Sequence, residues 1–166
     1  LETLAESIKQ LENRGEPVHL LIVAPGKNIE SISTYCRQIG IEQISTISGP
    51  VSRQNIPHFY NQIDIAVIPR LSDSKMAALV TPLKPLEPLS LGIPLIISDT
   101  KAIREIVSNN RATLFQAGDI SDLVEKVLVI LSNDERRENL VKNGKNWVKE
   151  NATWEISSRK TVEKYL

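Results

Sequence analysis

Short apolar runs alternate along this chain with stretches whose apolar residues recur every three or four positions. The chain opens in the second pattern. Leu1, Leu4, Ile8 and Leu11 stand at helical spacing with Glu2, Glu6, Lys9 and Glu12 between them, which predicts an amphipathic helix with no capping residue ahead of it. Such an opening reads as the truncated start of a longer domain. After Asn13-Arg14-Gly15 the apolar run 18–24 reads as a strand, 28–39 as a helix stopped by Gly40, and 44–48 as a second strand closed by Gly49-Pro50. Residues 55–62 are helix-like and lead into a strand over 63–68, which Pro69 ends. A long connection, 70–80, precedes a helix over 84–91 that Gly92 stops. Strands over 93–97 and 112–115 flank a short helix at 101–107, and 119–166 reads as two or three helices.

Continuous apolar strands separated by helices are the pattern of parallel strands buried on both faces, so the expected fold class is α/β, a doubly wound, mostly parallel sheet. There is no internal repeat, low-complexity tract or linker, and residues 1–166 are expected to form one domain. Composition agrees with a real core: 41% of the 166 residues are hydrophobic, and a chain of this size buries about two thirds of its unfolded surface. Twenty basic and twenty acidic side chains cancel, which excludes the strong basic field needed for non-specific binding to a nucleic-acid backbone or an anionic membrane. Cys36 is alone, so neither an intrachain disulfide nor a cysteine-built zinc site is available. No apolar run reaches the roughly 20 residues of a membrane span, and the start lacks a targeting pattern. A cytoplasmic location is expected.

In such sheets the ligand lies outside the carboxyl ends of the strands. That selects the loops at 25–28, 49–53, 69–84, 98–101 and 116–119. The richest is Val80-Thr81-Pro82-Leu83-Lys84-Pro85-Leu86-Glu87. A threonine and prolines suit a helix start, where backbone N–H groups and the positive end of the dipole favour a phosphate. Lys84 adds a full positive charge, and Glu87, one turn on, offers a carboxylate to a pair of sugar hydroxyls. The same two residues also fit an ordinary solvated i,i+3 pair. Pro82, Pro85 and Pro88 repeat every three residues, as in a polyproline ligand, but they lie between two core strands. Inside a helix Pro88 removes a backbone bond, so the helix starts no earlier than Lys84 or kinks near its start.

The block from Thr81-Pro-Leu-Lys-Pro-Leu-Glu87 through Ile-Ile-Ser-Asp99, with Ile103 to Val107 after it, resembles the nucleotide-sugar half of family 4 glycosyltransferases of the GT-B type (glycosyl transferases group 1). The resemblance runs through nearly the whole chain. Leu20-Leu-Ile-Val-Ala-Pro-Gly26 is similar to the family's "IVG-G" turn, Gly49-Pro50-Val51 to its "GxV" loop, and Tyr60 to Pro69 to its "Y..aDi.v.P" strand. Leu114 to Asp119 is similar to "lv.pgD", and Asn151-Ala-Thr-Trp154 to "FsW".

By this resemblance the fold is the Rossmann-like half of a GT-B enzyme, truncated at its N-terminus, and residues 1–166 are its donor-binding domain. The resemblance implies a nucleotide-sugar donor and transfer with retention to a glycan or lipid-linked acceptor, as in polysaccharide biosynthesis. No metal or other cofactor is expected. It also implies a partner, the acceptor-binding N-terminal domain of the same protein, preceding a basic phosphate loop upstream of Leu1. Without these the fragment is expected to be inactive alone. Glu87 matches the second glutamate of the E-x7-E motif, which holds the ribose hydroxyls. Leu79 stands where the first glutamate belongs, a departure shared by members with a "VTPLKPLEAMA"-like stretch. Lys101-Ala102 replaces the paired glycines that often follow "SD". With no metal, the charge growing on the departing diphosphate must be met by N–H groups and cationic side chains. Lys84 and the amides of 83–86 are the candidates. The donor site is thus expected to comprise Lys84 as the catalytic cation, with Glu87, Thr81, Pro82, Leu83, Gly49, Pro50, Val51, Gly26 and Arg70.

Other residues have plainer readings. His19, in an apolar run, reads as a packed core residue, and His58 as either lining the base pocket or facing solvent. Asp64 begins its strand, Asp99 reads as a helix cap, and Arg136 and Arg137 as solvated helix charges. The Asn151-Ala-Thr153 sequon would go unused in the cytoplasm. Two other classes stay open: a GT-B sugar-nucleotide epimerase, and a non-catalytic nucleotide-binding or receiver-like module with Asp99 as phosphate acceptor.

Overall fold

The computed structural model describes residues 1–70, 83–104, 106–108 and 110–165. The first helix, α1 (Glu2–Asn13), buries Ile8 and Leu11 of the predicted stripe together with Ala5, while Leu4 is partly buried and Leu1, its N-cap, is exposed. Ser7 lies on the same face and is almost fully buried. Its hydroxyl donates to the Thr3 carbonyl one turn back, at 2.7 Å, which makes that burial tolerable. There follow β1 (Leu20–Val23), α2 (Gly26–Gln38), β2 (Ser45–Ser48) and the short α3 (Ile56–Tyr60). Next come β3 (Ala66–Ile68), α4 (Leu86–Leu91), β4 (Leu95–Asp99), α5 (Lys101–Arg104) and β5 (Thr113–Gln116). Three helices close the chain: α6 (Ile120–Ser132), α7 (Asp134–Asn151) and α8 (Trp154–Tyr165).

The pairings are parallel, as expected, but hydrogen bonding divides the strands into two ladders, β1-β2 and β3-β4-β5. Leu20 stands beside Ser45 in the first; Ala66 beside Leu95 and Ile96 beside Thr113 set the second. Central strand β4 explains the layering. Leu95, Ile96 and Ile97 are all fully buried, and successive side chains point to opposite faces. Ile96 joins a core built from α1, β1, α2 and α6 with Phe115, whereas Leu95 and Ile97 join Leu89, Ile103, Val107 and Ala112, covered by Trp147 and Val148 of α7. A strand with no polar face is stable only between two helical layers. Each such side chain contributes about 1.5–3 kcal/mol through its burial.

Helix α4 starts later than its sequence predicts. Pro85, with no N–H to give, is its N-cap, and the Leu86 amide turns back onto the Leu83 carbonyl at 3.0 Å. Pro88 therefore sits in the first turn, where amides have no intrahelical acceptor, and its missing N–H breaks no helical bond. The helix ends at Gly92 in the left-handed region (φ 78°), with the Ile93 amide bonded to the Pro88 carbonyl at 2.9 Å, a Schellman closure that glycine makes cheap. Against α4 lies Gly144 of α7, where an added Cβ would come within 2.7 Å of Leu89 Cδ2. The two helices approach as closely as the missing side chain allows.

His19 corrects a sequence expectation. The strand begins one residue later, at Leu20, so His19 lies in the lead-in, exposed, with Nε2 2.8 Å from Thr46 Oγ1. Among the described residues no helix is long and apolar enough to cross a membrane.

Candidate functional site

Because the strands run parallel, the loops that follow them gather at their carboxyl ends. At β1 the chain passes through Pro25 into Gly26, the exposed first residue of α2; no side chain caps this helix and no acidic residue lies in its first turn. A Cβ on Gly26 would meet nothing within 4 Å, so open space surrounds it. At β2 the ladder is extended by the Ala24 amide on the Ser48 carbonyl at 3.0 Å. Gly49 then turns the chain against α2, where an added Cβ would stand 3.7 Å from Ile29 Cδ1. Pro50 beyond it is exposed and Val51 partly buried. Gly26 and Gly49 thus flank the start of one helix.

Arg70, beyond the end of β3, is fixed from β4. Its amide donates to the hydroxyl of fully buried Ser98 at 2.7 Å. The guanidinium Nη1 is shielded from solvent and has no hydrogen-bond partner among the described residues. A buried, unpartnered guanidinium nitrogen is costly, and an anionic oxygen would satisfy it.

Lys84 and Glu87 are both exposed at the start of α4, and they form no ion pair with each other. Glu87 Oε2 instead accepts a hydrogen bond from the Tyr60 hydroxyl at 3.1 Å. Burial, then the Glu87 charge and the bond itself, hold the Tyr60 phenol well above its ordinary range. Leu83 is 70% exposed. Of the amides expected to cradle a phosphate, Leu86 is bound to Leu83 and Pro85 has none, which leaves those of Leu83 and Lys84 beside the exposed Lys84 side chain. Thr81, Pro82 and Leu79 lie outside the described residues.

Asp99 behaves differently from its expectation as a cap. It holds Arg104 through two hydrogen bonds of 2.6 and 2.5 Å. Those bonds keep its carboxyl below the usual aspartate range. A side-chain cap is found at the start of α6, where Asp119 accepts from the Asp122 amide at 3.0 Å. His58 is exposed, as is Arg136, whereas Arg137 is half-buried against Asp134.

An open polar cleft of about 820 Å³ lies elsewhere, lined by Asn110, Thr113, Lys126, Asn139 and Asn143 among others. Much of its polarity is already engaged. Asn133 caps α7, Asn143 Nδ2 donates to the Asn110 carbonyl at 2.9 Å, and Lys126 pairs with Asp122. None of the donor-site candidates lines it. Among the described residues no group of three or more His, Cys, Asp or Glu side chains is placed to hold a metal ion.

Sequence reasoning missed two residues of this edge, Ser98 and Tyr60. Ser98 interrupts an otherwise apolar strand one position before its end, the one signal that its hydroxyl has a partner beyond the strand. Tyr60 belongs to a recognised stretch, but nothing in its spacing points to Glu87.

Parallel strands wrapped by two helical layers, with glycine turns at their carboxyl ends, make this a Rossmann-like α/β domain. The family model "Glycosyl transferases group 1" matches residues 1–147, and the chain belongs to that family. It is 23% identical over 164 residues to a GDP-mannose-dependent alpha-(1-6)-phosphatidylinositol monomannoside mannosyltransferase of Mycobacterium tuberculosis, covering 98% of this chain and 43% of that protein. Sucrose-phosphate synthase from Thermosynechococcus elongatus superimposes with a TM-score of 0.83 at 20% identity, over 99% of this chain and 41% of that one. Anabaena HepE in complex with UDP gives 0.79 at 14% identity, over 99% and 44%. The chain thus spans less than half the length of these proteins.

Proposed function

We propose that this chain is the donor-binding domain of a retaining, metal-independent glycosyltransferase that moves a sugar from a nucleoside diphosphate to a glycan or lipid-linked acceptor in the cytoplasm. The observation that carries this reading is the exposed Glu87 carboxylate, unpaired with Lys84 and steadied by Tyr60, at the start of a helix on the ligand edge. Glu87 accepts the two ribose hydroxyls. Lys84 meets the charge that develops on the diphosphate as the bond between the anomeric carbon and the phosphate oxygen breaks. Arg70, whose shielded Nη1 has no partner among the described residues, and the uncapped start of α2 at Gly26 serve the phosphates or the sugar. Gly49, Pro50 and Val51 border the base, and Thr81, Pro82 and Leu83 complete the donor loop. That HepE, which shares this fold, was solved with UDP supports a nucleotide as the ligand. An acceptor-binding domain preceding this one in the same protein completes the enzyme.

The test is transfer by the intact protein from UDP-, GDP- and ADP-sugars in the presence and absence of EDTA, with the anomeric configuration of the product read by NMR. Retention, unaffected by the chelator and lost in Lys84→Ala, is the expected result. Inversion, a metal requirement, or a sugar nucleotide isomerised without acceptor would overturn the reading.

A further inference from the structure

An exposed glutamate has several rotamers, and in this fold one of them is held. The Tyr60 ring is half-buried, packed against the core around Leu89, Leu95 and Ile97, and its hydroxyl reaches Glu87 Oε2 at 3.1 Å across 27 residues of sequence. The ring is anchored, so the position of its hydroxyl oxygen is set by the core, and the hydrogen turns to meet the acceptor within reach. Burial and the neighbouring carboxylate keep that phenol protonated throughout the working range of a protein. The donor is neutral. It leaves Glu87 its full negative charge, and it occupies one of about four lone-pair positions of the carboxylate. A lysine in its place would neutralise the group.

We propose that Tyr60 is a positioning residue for nucleotide recognition: its hydroxyl fixes the Glu87 carboxylate so that Oε1 and the remaining lone pair of Oε2 face the ribose diol. The inference rests on the reading of Glu87 as the ribose contact. It places the selectivity for ribose in a pair drawn from α3 and α4, not in Glu87 alone. An unconstrained glutamate would have to be ordered as the nucleotide binds, whereas the Tyr60 bond orders it as the chain folds.

Tyr60→Phe keeps the ring and removes only the hydroxyl. Calorimetric titration of the intact protein with UDP, GDP and ADP, and with the 2′,3′-dideoxy form of the tightest of them, separates positioning from packing. Tyr60→Phe is expected to weaken the ribonucleotide about three- to tenfold, the span of one ordinary hydrogen bond, and to leave the dideoxynucleotide unchanged. Equal weakening of both would mark Tyr60 as a structural residue and overturn the inference. So would unchanged affinity for both while Glu87→Ala still loses its preference for the ribonucleotide. If Glu87→Ala keeps that preference, the ribose assignment itself fails, and the role of Tyr60 fails with it.

Discussion

Glu87 and Asp99 are two carboxylates on neighbouring elements of one edge, and the fold treats them in opposite ways. Asp99, at the end of β4, is closed: a guanidinium two hydrogen bonds deep engages both its oxygens and cancels its charge. Glu87, in the first turn of α4, is open: a neutral phenol touches one oxygen and the nearest lysine in sequence leaves it alone. The contrast teaches how a carboxylate is kept ready for a ligand. A charged partner completes it, whereas a neutral donor orients it and leaves acceptor capacity free. On the function proposed above, Asp99 therefore belongs to the framework and Glu87 to the site.

The largest expected effect tests the platform under Glu87. Leu89 is 2% exposed and seats α4 against α7 at Gly144, so Leu89→Ala should cost about 2–5 kcal/mol of stability in denaturant unfolding. In hydrogen exchange the loss of protection should be greater around Glu87 than around Asp99. Next in size is the pair itself. Glu87→Ala should weaken nucleotide binding by about 1–3 kcal/mol, whereas Asp99→Ala should leave the dissociation constant within about twofold; equal effects in calorimetry would erase the contrast. Gly92→Ala forces a Cβ into the left-handed region, at a cost of about 1–2 kcal/mol, while the Lys145 side chain that crowds the site can move aside. A matching drop in melting temperature with unchanged nucleotide affinity would show that the end of α4 serves the fold and its start serves the ligand.

The smallest effect concerns acid. Arg104 lowers the Asp99 carboxyl. Burial pushes Asp122 up, but the Gln116 amide at 2.6 Å and Lys126 more than offset it, so its net shift is also downward. A folded carboxyl that titrates below its unfolded counterpart stabilises the fold fully above the unfolded value, roughly pH 4. That contribution is lost as pH falls through the lowered value. Melting temperature should thus be insensitive to these two groups between pH 5 and 8 and fall below pH 4, less steeply in Asp122→Asn. A fall beginning near neutrality would contradict this.

The sequence made the fold legible where one principle acted alone. The α1 stripe, the unbroken apolar run of β4 and the glycine stop at Gly92 each follow from local pattern, and the structure agrees within a few residues. It was less legible where two segments must meet. His19 reads as apolar only if its strand starts early, and pairing with Thr46 could not be foreseen from either neighbourhood. Gly144 looks like an ordinary helix residue, and only the approach of Leu89 gives it a reason. In the candidate site, Lys84 and Glu87 stood out because their chemistry and spacing are local. Tyr60 and Ser98 did not, since each acts through a partner about 27 or 28 residues away.

One measurement bears most directly on the central claim that nucleotide binds at the carboxyl ends of the strands beside Glu87. In an amide-resolved NMR titration with UDP, GDP and ADP up to millimolar concentration, one nucleotide should produce saturable shifts clustered at Gly49 to Val51 and at Leu83 to Glu87, and these should be lost in Glu87→Ala. Saturable shifts centred instead on the cleft of Asn110, Asn139 and Asn143, or shifts unchanged by Glu87→Ala, would contradict the account.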